Sequence, residues 1–259
     1  MDYQRTISFS LQKLTRLHNT QSSTAEFFNC LNQQICMEEH IVKILNTAKV
    51  THDVMRFQVE KPLGYSFIPG QATDVSVNIP SLKDEKRPFT FTCLNSADYL
   101  EFTIKIYKER NGITNKLGML KPGDELIIRD VWGDIAFKGP GVFIAGGAGI
   151  TPFISIFRDL QTKNMVVGNM LIFANKTKKD IILESELSCL LGGAFISILS
   201  DQKSEGYSYG FINEEFLRVT IPPQNKKFYL CGPPQMIDTV LTYFSNMGIK
   251  EDSIIMESM

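Results

Sequence analysis

The apolar pattern changes character near residue 138, and that change restricts the chain to a two-part fold. From residue 40 to 138 it alternates with a period of two, the signature of strands with one buried face. The runs are HIVKILNTA, VMRFQVE with Met55, Phe57 and Val59 on one face, ATDVSVN, RPFTFTCL with Phe89, Phe91 and Cys93 alternating, YLEFTIKIY, and DELIIRDV. In YLEFTIKIY the inward set is Leu100, Phe102, Ile104 and Ile106. Pro69-Gly70, Asn111-Gly112 and Pro122-Gly123 punctuate them as turns. Six short strands predict an antiparallel barrel or sandwich, with one short helix over Asn115–Leu120.

After residue 138 strands alternate with helical stretches. VFIAG, NMLIFAN, FISILSD, KFYLCG and SIIME read as strands. Pro152–Lys163 places Phe153, Ile156, Phe157 and Leu160 on one helical face. IILESELSCLL and FINEEFLRV also read as helical, the second with Asn213 as its cap. Pro234–Met247 stripes Ile237, Val240, Leu241 and Phe244 and stops at Gly248. This alternation predicts a parallel sheet covered on both faces. The expected division is therefore an all-β domain over 38–138 and an α/β domain over 139–259, joined near Lys138–Gly141. Residues 1–37 are set apart: rich in Gln, Asn, Ser and Thr, with no acid between Asp2 and Glu26. An organelle-targeting peptide over 1–36 and a poorly ordered extension both fit, and we expect the extension.

Composition narrows the function. Of 259 residues 43% are hydrophobic and 21% charged, and the net charge is −1. Nothing here draws the chain to nucleic acid or to a membrane surface. No apolar run approaches the roughly 18 residues needed to span a bilayer. The five cysteines are scattered without CxxC spacing, and the three histidines do not pair at metal-ligand spacing. The expectation is a cytoplasmic monomer with reduced thiols and no metal.

The stretch "VFIAGGAGITPF" carries the chemistry. Gly146, Gly147 and Gly149 allow a sharp turn and close approach of a ligand. Pro152 is expected in the first turn of the following helix, where its missing N–H costs nothing. The N–H groups and dipole of that turn suit a pyrophosphate, although a strand–helix turn without ligand uses the same residues. No Gly-Lys-Ser/Thr follows, as a P-loop would require. A second strand, KFYLCG, ends in Cys231-Gly232-Pro233-Pro234. Ligands of open α/β sheets bind beyond the carboxyl ends of the strands. Two such turns on one edge point to a dinucleotide cleft.

Taken together, Gly147–Pro152 as G-x-G-x-x-P and Cys231-Gly232-Pro233-Pro234-Gln235-Met236 resemble the nicotinamide half of the ferredoxin–NADP reductase family. In the first domain, Arg87-Pro88-Phe89-Thr90 resembles that family's flavin motif. Phe67–Gln71 and Lys121–Asp124 resemble its barrel landmarks. The resemblance runs from about residue 38 to the end, with motifs in order.

It implies a Greek-key antiparallel flavin barrel followed by a parallel-sheet nicotinamide-dinucleotide domain. The implied cofactors are FAD, with FMN the less favoured alternative, and NADPH or NADH. Arg87 would pair with flavin phosphate, Phe89 would stack on the ring and Thr90 would bond near N5. Pro88 belongs to the same motif. Ile104 and Tyr107 bound the segment along the flavin tail, and Gly112, Ile113 and Thr114 form its pyrophosphate turn. Gly147, Gly149, Thr151 and Pro152, with Gly232, Pro233 and Met236, would hold the nicotinamide dinucleotide. Cys231 would lie by the nicotinamide, and Glu257 would be the carboxylate beside the flavin.

Two features depart from the family pattern. The chain closes Glu257-Ser258-Met259 without the aromatic that shields the flavin in many relatives, and Met259 could substitute in part. Lys176, in Asn175–Lys179, lies where relatives place ligands of a 2′-phosphate; a solvated lysine cluster reads equally well. The implied activity is hydride transfer from NAD(P)H to the flavin, then electrons to a separate protein, flavodoxin or ferredoxin. A reductase component of an oxygenase, or a flavin reductase, is the second reading. A non-catalytic flavin-binding interaction subunit is the third.

Overall fold

The computed structural model describes residues 38–109, 112–223 and 227–257. The expectations for residues 1–37 and for Met259 fall outside these.

The first sheet contains β1 (His40–Lys49), β2 (Val54–Glu60), β3 (Ala72–Val77), β4 (Arg87–Thr90), β5 (Tyr99–Lys105) and β6 (Glu125–Trp132). Its order is β4-β3-β6-β1-β2-β5, and every pairing is antiparallel. A bridge between Phe91 and Phe102, with Thr92 N–H donating to Glu101 O at 2.8 Å, joins the two ends of that order. The sheet thus curls into a barrel, as the alternation predicts. Its interior is filled by Val42, Phe57, Val59, Val75, Phe91, Leu100, Phe102 and Ile128. The short helix α1 runs over Ile113–Leu117, two residues earlier than the sequence pattern placed it, and buries Ile113 and Leu117 against the barrel.

The second sheet contains β7 (Val142–Gly146), β8 (Met170–Asn175), β9 (Phe195–Leu199), β10 (Ser208–Tyr209), β11 (Phe228–Cys231) and β12 (Ile254–Ile255). Its order is β10-β9-β8-β7-β11-β12, parallel throughout. The helices are α2 (Thr151–Thr162), α3 (Glu184–Leu191), α4 (Glu214–Thr220) and α5 (Pro234–Asn246). Asn213 caps α4 by accepting from Phe216 N–H at 2.8 Å. Helix α3 begins later than its apolar run, because Ile181 and Ile182 enter the core and Leu183 adopts a left-handed backbone with φ 54°.

One face of the parallel sheet forms a core that continues into the barrel. Val54 and Ile135 pack with Phe143, Phe153, Ile156, Phe157 and Leu171 in one apolar cluster. The other face packs Ile144, Ile172 and Leu230 beneath α4 and α5. Among the described residues no helix is long and apolar enough to cross a membrane.

Candidate active site

Strands β8, β9 and β10 extend from β7 in one direction, and β11 and β12 in the other. The order therefore reverses between β7 and β11, and it is beyond the carboxyl ends at such a reversal that open α/β sheets bind ligands. Both glycine turns lie there. Residues Val142–Gly146 are buried, as a central strand requires. At Gly147 the backbone turns to φ +52° and enters a 3-10 turn over Gly147–Ile150 that leads directly into α2. The helical path thus begins a turn before Pro152. The early N–H groups that lack a helical acceptor belong to Gly147, Ala148 and Gly149. The Thr151 hydroxyl donates to Ala148 O at 3.1 Å and secures the junction.

The two turns interlock through missing side chains. A β-carbon on Gly149 would lie 2.3 Å from Cys231 O and 2.6 Å from Gly232 N. One on Gly146 would meet Met236 Sδ at 2.6 Å, and one on Gly232 would meet Met236 Cε at 2.6 Å. At Gly147 the space is open. Glycine is required at Gly149, where only backbone stands in the way, and favoured by the left-handed backbone at Gly147; at Gly146 and Gly232 a side chain would first have to displace the end of Met236.

Cys231 pairs with Ala145 across β11 and β7 and is half-buried. Burial, and then the negative charge of Glu257, push its thiol up to about 12. It is held as a neutral, small, soft group, not as a nucleophile. Glu257 is itself anchored to the segment leaving the barrel: Asp134 N–H donates to Glu257 Oε2 at 3.1 Å and Ile135 N–H to Glu257 Oε1 at 3.4 Å. Cys231, Glu257 and the exit of β6 are therefore one neighbourhood.

On the barrel, Arg87, Pro88, Phe89 and Thr90 form β4, hydrogen-bonded to β3 on one side. Arg87 and Pro88 are exposed, and Phe89 and Thr90 half-buried. Pro88 is tolerated because this is an edge strand. Beyond the Phe91–Phe102 bridge, β4 and β5 share no ladder bonds among the described residues. Their antiparallel direction sets Arg87–Phe89 across an open seam from Ile104–Tyr107. Ile104 and Ile113 point into the barrel core, so only their backbone is offered to this seam. Tyr107 is 40% exposed, and Gly112 and Thr114 are half-buried at the start of α1. The Arg87 guanidinium makes one hydrogen bond among the described residues, to Lys86 O at 2.7 Å, and leaves most of its fork toward solvent.

An unpaired strand edge, a half-buried aromatic, a hydroxyl and an exposed guanidinium fit a flat, phosphate-bearing cofactor. The open, donor-rich turn at Gly147 fits a pyrophosphate. Pro233 is exposed and Met236 packs under Gly146. Lys176 is exposed just past the end of β8. Beside it, Asn175 Nδ2 is buried without a partner among the described residues, as is Ser197 Oγ on β9.

Sequence reading missed the residues that join the two sheets. Gly70 N–H donates to the buried Ser155 Oγ on α2 at 3.0 Å. Arg158, one turn further, bonds Thr92 and Glu101 of the barrel and Glu186 of α3. His52, in the β1–β2 turn, lies 3.7 Å from Asp53 and 3.6 Å from Asp180. Those carboxylates are already engaged by Lys105 and by Thr177. The one local signal was polar residues at 155 and 158 on a helix otherwise buried through its apolar side chains.

Comparison with known proteins agrees with this geometry. The family model for the oxidoreductase NAD-binding domain matches residues 143–242. The NADH-cytochrome b5 reductase 1 of Aspergillus oryzae is 30% identical over 223 residues, covering 77% of this chain and 76% of that protein. The reductase component of propane 2-monooxygenase from Mycolicibacterium goodii is 24% identical over 266 residues, covering 95% of this chain and 76% of its own. Among solved structures, a ferredoxin NADP+ reductase from Neisseria gonorrhoeae with bound FAD and NADP superposes with TM-score 0.74. It is 19% identical and covers 85% of this chain and 98% of its own. The flavohem-like FAD/NAD binding domain of nitric oxide dioxygenase from Vibrio cholerae gives TM-score 0.76 at 20% identity, over 85% and 98%.

Proposed function

This chain belongs to the ferredoxin–NADP reductase family, and from that premise we propose that it is an NAD(P)H-dependent flavoprotein reductase. In this reading residues 38–138 hold FAD and residues 139–259 receive the nicotinamide nucleotide. Electrons leave to a separate one-electron acceptor protein. The observation that carries it is the contact of Gly149 with Cys231 at the switch point, beside Glu257 and the exit of the barrel.

A bound flavin supplies hydride acceptance from nicotinamide and release of electrons one at a time. The chain supplies the binding. Arg87 neutralises phosphate with its fork, Phe89 offers a flat ring and Thr90 a hydroxyl. Backbone of Ile104–Tyr107 and of Gly112–Thr114 lines the flavin tail. Gly147, Gly149, Thr151 and Pro152, with Gly232, Pro233 and Met236, frame the nucleotide turn. Cys231, kept neutral, gives nicotinamide a soft wall without adding charge. Glu257 fixes that wall to the barrel.

For the acceptor, the lead reading is flavodoxin or ferredoxin, with the chain acting as a cytoplasmic monomer. A reductase component of an oxygenase is favoured by one specific observation, the match over 95% of this chain to such a component. The test is anaerobic reduction of the purified yellow protein by NADPH and by NADH, followed by addition of each acceptor. Bleaching by a nucleotide and reoxidation by flavodoxin or ferredoxin is expected. A colourless protein, or one that neither nucleotide bleaches, overturns the reading. Reoxidation only by an oxygenase partner moves the acceptor to the second reading.

A further inference from the structure

Resting on that reading, we propose that Arg158 is a positioning residue. It ties the helix that follows the nucleotide turn to the strand that carries the flavin motif, and so sets how the two cofactors meet without touching either.

Helix α2 is the continuation of the glycine turn, and Ser155 and Arg158 lie three residues apart on it. Such a pair shares one helix face. That face is bolted to the barrel at two points. At the first, Ser155 accepts the Gly70 N–H at 3.0 Å. At the second, Arg158 Nη1 donates to Thr92 O at 2.6 Å and to Glu101 Oε1 at 2.8 Å. Thr92 lies two residues beyond Thr90. Gly70 is also close to that strand, because its neighbour Gln71 accepts from Phe91 N–H at 3.1 Å. Both bolts therefore act on the backbone that leads out of β4.

All three nitrogens of the guanidinium are engaged. Its Nε and Nη2 form a bidentate pair with Glu186 at 2.6 and 2.8 Å, which orients the remaining donor toward the barrel. Glu101 is equally held: Thr92 Oγ1 donates to it at 3.0 Å, Gln58 Nε2 at 3.3 Å, and Arg56 Nε lies 3.8 Å away. Its side chain is 3% exposed and that of Arg158 is 19% exposed. Charges so far from water gain little stability over apolar residues of the same size. What a fork of fixed geometry adds is register: it admits one placement of α2 against Thr92, where an apolar contact would admit several. The core shared by the two sheets is apolar and non-directional, so direction comes from polar contacts, and these are the ones that hold α2 itself.

The experiment uses the flavin-loaded full chain and three variants. R158M/E101Q removes the Arg158 and Glu101 charges together and leaves only Glu186 and Arg56, each about one-third exposed to water, without that partner; R158K keeps the charge without the fork; R158M is the simple deletion. In R158M/E101Q, flavin content and nucleotide Kd should stay within about threefold of the parent. The limiting rate of reduction by the preferred nucleotide should fall about 10- to 100-fold. The long-wavelength absorbance of stacked nicotinamide and flavin rings should weaken with it. R158K should fall between parent and R158M. In the flavin-free chain, amides of residues 147–158 should exchange faster in the double variant, with those of β8 unchanged. An unchanged limiting rate and ring-stacking absorbance in R158M/E101Q overturns the proposal. So does loss of flavin or nucleotide binding in place of the rate, which would make Arg158 a binding residue. A parent protein that no nucleotide bleaches overturns the reductase reading itself, and this inference with it.

Discussion

Gly149 and Cys231 lie in backbone contact, so close that a β-carbon on Gly149 would stand 2.3 Å from the Cys231 carbonyl oxygen. Neither atom is a flexible side-chain end, so the turns must part to admit a methyl group. G149A should destabilise the fold by about 1–3 kcal/mol. It should also weaken nicotinamide binding at least about tenfold, with flavin retained. G147A is the contrast. Space there is open, and only the φ of +52° resists a side chain. Its cost should be about 1–2 kcal/mol. Thermal melts and anaerobic nucleotide titrations of both variants check this; equal nucleotide affinity in G149A and parent would count against the interlock.

The Cys231 thiol, pushed up to about 12 by burial first and by Glu257 second, should resist alkylation at a pH where an ordinary thiol reacts. The sign for stability follows. The folded thiol holds its proton more tightly than the unfolded one, whose pKa is about 8.5. This contribution is intact below about pH 8.5 and is lost as the pH rises toward 12. E257Q removes the smaller cause, so the thiol should move down yet stay above its ordinary value. Iodoacetamide rates between pH 7 and 10 read both. C231A should bind flavin normally and slow its reduction about tenfold, a barrier change near 1.4 kcal/mol.

Much of this fold was legible because it rests on short-range periodicity. The inward set of β5 reads directly from Leu100, Phe102 and Ile104. The outward set misleads: Glu101 and Thr103 read as solvent-facing and are buried. The polar face of β5 is met by Arg158, whose partner Glu101 lies 57 positions away in sequence. No local pattern encodes that pairing. The two-residue strand β10 is likewise too short for any period to register. The turn at Gly147 was legible as a loop, but its 3-10 path was not, because the glycines that permit it also permit alternatives. The site motifs were named only through their resemblance to a family's motifs, taken together and in order. That Ile104 and Ile113 offer backbone and not side chain emerges only when the barrel closes around them.

Ser155 is fully buried on α2, and its hydroxyl is the acceptor for the Gly70 N–H. S155A leaves that donor without a partner, at a cost of about 1–3 kcal/mol. For a chain of this size each kcal/mol lowers Tm by about 2–4 °C. G70A should cost more, because a β-carbon there meets Ile135 O at 2.3 Å and the φ is +105°. Calorimetry of the two variants orders them; S155A as stable as the parent would show that this bolt carries no strain.

In the proposed reading the choice between NADPH and NADH rests on the exposed Lys176, one residue past the end of β8. A 2′-phosphate at that strand end would gain from an ammonium group, and a 2′-hydroxyl would not. The gain is a partly screened charge contact, so it should shrink as salt rises. K176A should raise Kd for NADPH about 3- to 10-fold at low ionic strength, by about 0.7–1.4 kcal/mol, and leave NADH within twofold. Backbone placement should survive, because Lys176 O accepts from Asp201 N–H at 2.9 Å whatever the side chain. Paired titrations of both nucleotides at two salt concentrations decide it. If the two affinities move together, Lys176 is a solvated lysine, and selectivity lies with another group, such as the buried Asn175 amide.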